Sequence, residues 1–359
     1  MRLLMVAELW KGSTALERAR IFEQLGFDVL PFDITPYHEQ LSRIEQSLAS
    51  RLNISRTLPQ LNRDLVALAR ESDYDAVWVT KGNSLYPSTV ASMREHARRK
   101  YAIHHTNDAL IYKQMGSRYF FGSIPFYDLF VTTKPWEMES YRARGARDVD
   151  LVLHAHGRQF TPNKMVDAAT RLSLASDICF IGHCESRYAM HIEAIAKAFS
   201  DGTTIVKVWG PYWPRYAKSH YWARGLVQSN GIWGEDYPHA LVCAKIAIGL
   251  LTSRWPETST ARSFEIPACG TFMLAERTDE LLQLFEEGKE AEFFSSPEEM
   301  CDKARFYLRH DAERARIAAA GHERCVRSGY STVVQMRRLF ERIAAKGHLE
   351  LPASAQTES

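Results

Sequence analysis

Short apolar, β-rich runs alternate with amphipathic stretches along this chain, and the alternation occurs twice. In the first half, the run at residues 75–80 (DAVWVT) is almost continuously apolar, which is typical of a strand covered on both faces. Strands that alternate with helices form parallel sheets. The pattern predicts a helix at residues 14–25 and strands at residues 3–8, 27–32, 75–80, 101–104 and 129–132.

The second half repeats the pattern from residue 177 onward. Two helix starts carry capping signals there: Ser296 precedes Pro297 and is followed by Glu299, and Thr278 opens another helix. We expect helices at residues 188–199 and 331–346, and strands at residues 177–182, 204–209, 245–251 and 271–275.

The length of 359 residues exceeds what a single compact core usually holds. The sequence therefore predicts an α/β protein with two Rossmann-like domains that face each other across a cleft. We place the first domain at residues 1–165, the second at 166–335, and a final helix with a flexible tail at 336–359. Open α/β sheets bind ligands beyond the carboxyl ends of their strands, so the cleft is the expected place for a site.

Charge and hydropathy exclude several classes of protein. The 45 Lys and Arg residues nearly balance the 43 Asp and Glu residues, and the formal charge of +2 gives no long-range attraction for nucleic acid. A local basic groove from Arg94, Arg98, Arg99 and Lys100 stays open as an alternative. The apolar run at 240–251 is shorter than the ~20 residues that span a bilayer, so we expect no transmembrane segment and a cytoplasmic location.

The cysteines and histidines do not indicate a metal centre. None of the six cysteines forms a CxxC pair, so we expect reduced, mostly buried thiols. His154 and His156 form an H-x-H pair without an evident third ligand. The sequence thus predicts neither a metal nor a bound cofactor.

The segment at residues 255–277 is the richest in chemistry. Glu257 and Glu265 stand eight residues apart, and the hydroxyl cluster Thr258, Ser259 and Thr260 between them is expected to cap a helix that Pro267 and Gly270 end. A helix N-terminus can hold a pyrophosphate, Arg262 can add a cation, and Glu265 can accept hydrogen bonds from a ribose diol. The alternative is a capped surface helix with solvated glutamates.

Residues 262–324 resemble the C-terminal part of the CgeB-like (spore-maturation-protein-like) glycosyltransferases. The resemblance rests on the order FEIPACG, EL, LF, GKE, SPEE and YLRH, and it covers most of residues 177–342. Upstream, residues 126–134 (FYDLFVTTK) resemble another segment of that family. These enzymes are similar to glycosyltransferase family four, which has the two-domain GT-B fold.

The resemblance implies a nucleotide-sugar-dependent glycosyltransferase that retains the anomeric configuration and needs no metal. It implies an acceptor-side first domain and a donor-binding second domain, with a UDP- or GDP-linked sugar as donor. Glu265 matches the glutamate that holds the ribose, and Glu257 falls near the donor sugar. His183 and Arg187 fall where the family has two cationic phosphate ligands.

Other candidates follow predicted strands. Gly12 and Ser13 could bring backbone amides to a phosphate or sugar of the donor, or form an ordinary tight turn. His105 and Asp108 could orient the acceptor hydroxyl, or belong to a polar loop. Trp209 and Gly210 match a family turn near the nucleotide, or belong to a packed aromatic loop. We interpret the D-x-D pattern at residues 148–150 as chance.

Three rival functions remain open at this point. They are a nucleotide-sugar epimerase on the same architecture, a non-catalytic nucleotide-sugar-binding protein and a nucleic-acid-modifying transferase. No G-x-G-x-x-G, Walker A or G-x-S-x-G motif occurs in the sequence. Their absence argues against a dehydrogenase, a P-loop ATPase and a serine hydrolase. The acceptor stays unidentified: a glycan, a lipid-linked saccharide or a small metabolite.

Overall fold

The computed structural model describes residues 1–42, 45 and 55–352, and the chain divides into two units. The first unit comprises Met1–Leu153 and Val333–Ser359, and the second comprises His154–Thr332. Our predicted boundaries at 165 and 335 lie twelve and three residues further along. The part of the predicted flexible tail from residue 353 onward lies outside the described residues.

A six-stranded sheet organises the first unit, and all of its strand pairs are parallel. The strand order is β2-β1-β3-β4-β5-β6. The strands are β1 (Arg2–Ala7), β2 (Asp28–Asp33), β3 (Ala76–Thr80), β4 (Tyr101–Thr106), β5 (Leu129–Thr132) and β6 (Val149–Leu151). The helices are α1 (Thr14–Gln24), α2 (Thr35–Glu39), α3 (Leu58–Glu71), α4 (Pro87–His96), α5 (Arg118–Ser123) and α6 (Met138–Arg142).

A second parallel six-stranded sheet organises the other unit, in the order β12-β11-β10-β7-β8-β9. Its strands are β7 (Ser176–Ile181), β8 (Val206–Trp209), β9 (Val227–Ser229), β10 (Ala244–Gly249), β11 (Phe272–Glu276) and β12 (Glu292–Phe294). Its helices are α7 (Ala168–Leu174), α8 (Ser186–Ala198), α9 (Trp213–Ser219), α10 (Asp236–Val242), α11 (Arg262–Ala268), α12 (Asp279–Leu284), α13 (Pro297–Arg309) and α14 (Asp311–Ser328).

The last helix, α15 (Thr332–Ala345), packs in the core of the first unit. The Phe340 ring lies 5.2 Å from the Phe22 ring of α1 and 6.0 Å from Trp78 of β3, measured between centroids. Residues 336–345 are therefore part of the first unit, not a separate terminal element.

The two sheets confirm the predicted α/β class with two Rossmann-like units. Each strand that the sequence predicted is present, with both ends within two residues of the expected positions. Three strands were not predicted from the sequence: β6, β9 and β12, each three residues long and each at a sheet edge. Edge strands this short carry too few apolar residues to give a periodic signal.

In each sheet, successive strands are added first toward one edge and then toward the other, so the strand order has one switch point. In the first sheet this point lies between β1 and β3, and in the second between β7 and β10. Loops that leave the carboxyl ends of two such strands diverge to opposite faces and leave room for a ligand. These two positions are where polar clusters occur.

No helix among the described residues has the length and apolarity needed to cross a membrane. All six cysteines are unpaired: Cys179, Cys269, Cys301 and Cys325 are buried, and Cys184 and Cys243 are partly so. Burial raises the pKa of the Cys184 thiol to about 11, which keeps it protonated near neutral pH.

Candidate functional site

A polar cluster lies at the switch point of the second sheet. Glu185, in the loop after β7, is buried, and its Oε2 accepts a hydrogen bond of 2.9 Å from the Thr252 hydroxyl in the loop after β10. The same oxygen lies 3.3 Å from Nε2 of His183 and 3.5 Å from Nε of Arg254. A buried carboxylate thus joins the two diverging loops and orients the side chain of His183.

Arg187 forms a two-point ion pair with Glu276 at the end of β11. Its Nε and Nη2 donate to the two carboxylate oxygens at 3.3 and 3.1 Å, and Glu276 is almost fully buried. Glu276 also accepts from the backbone N–H of Leu251 at 3.3 Å. A guanidinium carries five N–H donors, so this pairing leaves others for an anion, and 43% of the Arg187 side chain is exposed.

Arg262, the first residue of α11, lies against the same switch point. Its Nη2 donates to the backbone carbonyl of Leu250 at 3.0 Å, and its guanidinium carbon lies 5.8 Å from the centroid of the Phe180 ring. A Cβ added at Gly182 would lie 3.4 Å from Nη1 of Arg262. The chain therefore fixes a cation beside the loop that follows β7.

Charges from three loops meet around the buried Tyr188 of α8. Burial raises the pKa of Tyr188, the cation of Arg262 opposes that rise, and the carboxylates of Glu185, Glu257 and Glu276 add to it. The predicted residues Glu257 and Arg262 therefore both act electrostatically on the same buried phenol, as do Glu185 and Glu276.

Glu265 lies one turn along α11 from Arg262 and is held by Tyr237 of α10. The Tyr237 hydroxyl donates to Oε2 of Glu265 at 2.6 Å, and its ring packs edge-on against Phe160 at 5.2 Å. Burial and the adjacent Glu265 carboxylate raise the pKa of Tyr237 well above its usual value, so it stays a donor. The hydrogen bond fixes one carboxylate oxygen of a half-buried side chain.

The predicted capping of this helix by Thr258, Ser259 and Thr260 is wrong. The residue that precedes α11 is Ala261, which makes no side-chain cap, and the helix is seven residues long. The Thr258 hydroxyl instead donates to Glu280 of α12, Ser259 is buried, and the backbone N–H of Thr260 donates to the Ser263 hydroxyl at 3.2 Å. The Thr258 hydroxyl is therefore used in a contact with a residue twenty-two positions further along the chain, which no local pattern reveals.

Gly210 allows the loops after β7 and β8 to touch. Its φ is +150°, and a Cβ there would lie 1.9 Å from the carbonyl oxygen of Gly182. The indole N–H of Trp213 donates to that same oxygen at 2.9 Å. Trp209 is buried at the end of β8, so it supports this loop contact from within the unit.

In the first unit, Gly12 and Ser13 form the turn between β1 and α1. Gly12 has a φ of +99°, a left-handed conformation that favours glycine. The Ser13 hydroxyl accepts from the N–H of Leu16 at 3.1 Å and donates to the carbonyl of Glu8 at 2.9 Å. Ser13 therefore caps α1, and its hydroxyl is already bonded within the turn.

His105 and Asp108 lie in different surroundings. His105 is only 1% exposed, and its ring stacks on Trp78 at 5.4 Å. Asp108 is partly exposed and pairs with Nζ of Lys81 at 2.8 Å. The role predicted for His105 stays a prediction that its burial disfavours, whereas Asp108 lies at the carboxyl edge where it was expected.

Two sequence patterns have structural explanations. Asp150 of the D-x-D pattern pairs with Arg342 at 2.9 Å, and Asp148 pairs with Lys346, so both anchor the α15 region. The basic residues considered as a groove also have acidic partners: Arg94 with Asp128, Arg98 with Asp73 and Asp75, Arg99 with Glu350, and Lys100 with Glu95.

Three residues of this site were not predicted from the sequence: Glu185, Glu276 and Tyr237. A signal existed for Glu276, because a charged residue at the carboxyl end of an apolar strand (FMLAE) marks the functional edge of a parallel sheet. The contact between Tyr237 and Glu265 joins residues 28 positions apart and had no local signal. Within the described residues, no group of three His, Cys, Asp or Glu side chains could hold a metal ion.

Comparison with known proteins agrees with this architecture. Residues 189–341, which carry most of the cluster in the second unit, match the family model described as "Glycosyl transferase-like". A search of curated protein sequences finds no match. The family match covers α11, which holds Arg262 and Glu265, and β11, which ends in Glu276.

Solved structures show which fold the chain has. HepE from Anabaena in complex with UDP-glucose is 13% identical, with 96% of this chain and 100% of that chain covered and a TM-score of 0.65. A glycosyltransferase from Rickettsia africae is 12% identical, with 98% and 99% covered and a TM-score of 0.65. A UDP-N-acetylglucosamine 2-epimerase-like protein from Listeria monocytogenes is 11% identical, with 98% of both chains covered and a TM-score of 0.56. The fold is GT-B, as the resemblance implied.

Proposed function

We propose that this chain is a glycosyltransferase that moves a sugar from a nucleotide-diphosphate sugar to an acceptor hydroxyl. The observation that carries the proposal is the group of Arg187, Arg262 and Glu265 at the carboxyl edge of the second sheet, within or beside the segment similar to glycosyl transferases. Two cations and one oriented carboxylate are the chemistry that a diphosphate and a ribose diol require.

Each group has a distinct role in this proposal. The remaining N–H donors of Arg187 and Arg262 stabilise the negative charge that develops on the leaving diphosphate. Glu265, with one oxygen fixed by Tyr237, accepts hydrogen bonds from the ribose hydroxyls. Glu257, whose charge acts on Tyr188 together with that of Arg262, faces the transferred sugar in this proposal. Uridine is the base we propose first, because HepE was solved with UDP-glucose.

The stereochemistry and metal requirement are proposed from the resemblance to family four. The acceptor hydroxyl attacks from the face that the diphosphate leaves, and the diphosphate takes up the proton. The configuration at the anomeric carbon is then retained, and the arginine cations neutralise charge without a divalent metal. Protein binding energy serves mainly to align the two substrates.

A nucleotide-release screen tests the proposal. UDP-, GDP- and ADP-sugars are incubated with the protein and a metabolite extract as acceptor, with and without EDTA. We expect release of one nucleoside diphosphate that depends on the extract and is unaffected by EDTA. Absence of release from every donor, with intact binding, would favour a non-catalytic nucleotide-sugar-binding protein.

An epimerase is the second candidate, because the same architecture occurs in the Listeria protein described as a UDP-N-acetylglucosamine 2-epimerase. Epimerisation needs no acceptor. Incubation of the donor with the protein alone, followed by proton NMR of the sugar, separates the two functions. A new sugar isomer without extract would replace the transferase proposal.

A further inference from the structure

A second polar cluster lies at the switch point of the first sheet, remote in sequence from the donor residues. Glu8 follows β1, His38 belongs to α2, and Ser84 follows β3. Nδ1 of His38 lies 3.1 Å from Oε1 of Glu8, and Nε2 of the same ring lies 3.2 Å from the Ser84 hydroxyl oxygen. A hydroxyl, an imidazole and a carboxylate are thus joined in one chain of hydrogen bonds.

The chemistry of Glu8 fixes the direction of these hydrogen bonds. The bond from His38 lowers the pKa of Glu8 against the effect of burial, and the charge of Lys81 lowers it further, so the side chain is a carboxylate. A carboxylate only accepts, so Nδ1 carries the proton and donates to Glu8. In the neutral imidazole Nε2 is then the acceptor, and the Ser84 O–H donates to it.

The backbone around Ser84 is held on both sides. Buried Asn62 donates to the carbonyl oxygen of Ser84 at 3.0 Å and accepts from the N–H of Tyr86 at 2.8 Å. Asn83 accepts from the N–H of Ser117 at 3.0 Å and donates to the carbonyl of Met115 at 2.9 Å. A fixed backbone keeps the hydroxyl within reach of the imidazole without further loss of entropy.

The turn before Ser84 adopts an unusual conformation. Lys81, with a φ of +66°, and Gly82, with a φ of +72°, are both left-handed. Lysine rarely adopts this conformation, and backbone strain of this kind is concentrated at functional sites. The Lys81 ammonium is held by Asp108 at 2.8 Å, and the three side chains of the hydrogen-bonded chain are all partly exposed.

We propose that Ser84, His38 and Glu8 form a nucleophilic site that transfers or hydrolyses the acyl group of a carboxylic ester. The Ser84 Oγ bonds to the ester carbonyl carbon, and its proton passes to Nε2 of His38 while Glu8 stabilises the imidazolium. The carbon–oxygen bond to the alcohol breaks, and the departing alkoxide takes the proton from His38. Water, or a second hydroxyl, attacks the acyl-serine with His38 as base and restores Ser84.

The second unit contains a matched comparison for this site. The Ser219 hydroxyl lies 3.1 Å from Nδ1 of His220, but that nitrogen also lies 3.0 Å from the backbone carbonyl of Tyr216. A neutral carbonyl replaces the carboxylate, and it faces the same nitrogen as the hydroxyl does. In this pair no carboxylate of the described residues is hydrogen-bonded to the imidazole nitrogen opposite the hydroxyl, so His220 is not supported as a base. Ser219 should therefore be unreactive.

An alkyl fluorophosphonate probe tests the proposal directly on the full chain. The serine oxygen displaces fluoride, and the adduct is located by tandem mass spectrometry. We expect one adduct, on Ser84, and none on Ser219. His38→Gln should slow labelling on the order of a hundredfold, and Glu8→Gln should slow it less, because general-base assistance accounts for about 10²–10⁴ in rate. Ser84→Ala should abolish labelling.

Two controls keep the result interpretable. Each variant is checked by circular dichroism and by UDP binding, which the second unit supplies in our proposal and which should be unchanged. Hydrolysis of p-nitrophenyl acetate by the native chain should be lost in Ser84→Ala. Failure of Ser84 to label, or labelling that is indifferent to His38→Gln, would overturn this inference and leave the donor site untouched.

Discussion

At the residue scale, the candidate donor site depends on side chains that are fixed by neighbours before any ligand binds. Tyr237 fixes Glu265, Glu276 fixes Arg187, and a backbone carbonyl fixes Arg262. Such preorganisation lowers the entropy cost of binding. Arg262 and Glu265 were predicted from local chemistry and Arg187 from the family resemblance. Tyr237 and Glu276, which hold two of these side chains, were not among the predicted residues.

Tyr237→Phe isolates the contribution of this support. The ring and its packing on Phe160 remain, but Glu265 loses a hydrogen-bond donor. Since a net hydrogen bond contributes about 0.5–1.5 kcal/mol, UDP affinity should fall up to about tenfold. The preference for UDP over 2′-deoxy-UDP should shrink with it. Calorimetry with both nucleotides checks this, and an unchanged preference would show that Tyr237 does not position Glu265 for the ribose.

Arg187→Ala should cost stability as well as activity. The variant leaves the buried Glu276 carboxylate without its two-point partner, at a cost of about 1–3 kcal/mol. Arg187→Lys keeps the charge and should lose less. Urea unfolding of the three proteins measures the difference. Equal midpoints would mean that other groups satisfy Glu276, and only then could the alanine variant report on catalysis alone.

At the element scale, helix starts show where local sequence suffices and where it fails. Ser296 accepts from the N–H of Glu299 at 3.2 Å and Thr278 accepts from the N–H of Leu281 at 3.1 Å, which confirms both predicted caps. In these cases donor and acceptor lie within one turn. Thr258 bonds instead to Glu280, twenty-two residues away, so the same kind of signal failed at α11.

Gly210→Ala tests the contact between the loops after β7 and β8. A Cβ would lie 1.9 Å from the carbonyl of Gly182, so the loop that leads to His183 must move. We expect a loss of UDP affinity of at least tenfold and a lower melting temperature. Gly202→Ala is the control. Gly202 has a φ of +74°, but a Cβ added there would have no atom of the described residues within 4 Å, apart from its chain neighbours. This substitution should lower the free energy of unfolding by only about 1–2 kcal/mol. Equal effects of the two changes would contradict a role for the close approach.

At the scale of the whole molecule, alternating strands and helices were enough to predict two parallel-sheet units. The return of α15 to the first unit could not be predicted, because it depends on contacts such as Phe22 with Phe340 between residues far apart in sequence. The pairing of Asp150 with Arg342 is of the same kind. Periodicity identifies which face of an element is buried, but it does not identify the partner.

The stability of the first unit should depend on pH through Glu137. Burial raises the pKa of this carboxyl from 4.5 to about 7, while Thr132 donates to it at 2.8 Å. Because the folded-state pKa is the higher one, this stabilisation is complete below about pH 4.5 and is lost as the pH rises through 7. Between pH 5 and 8 the free energy of unfolding of the native chain should fall by up to about 3 kcal/mol more than that of the Glu137→Gln variant. Urea unfolding at several pH values checks this, and parallel pH profiles would contradict it.

Titration of UDP into the native chain and into Glu265→Ala tests the central claim most directly. Loss of hydrogen bonds to a carboxylate should weaken binding by about 1.5–3 kcal/mol, or roughly tenfold to a hundredfold. Glu193→Ala, which removes a surface glutamate paired with Lys197 in α8, should bind UDP as the native chain does. Weakened binding in the first variant alone is the result we predict. Equal affinity in all three proteins would contradict a nucleotide-sugar site at Glu265.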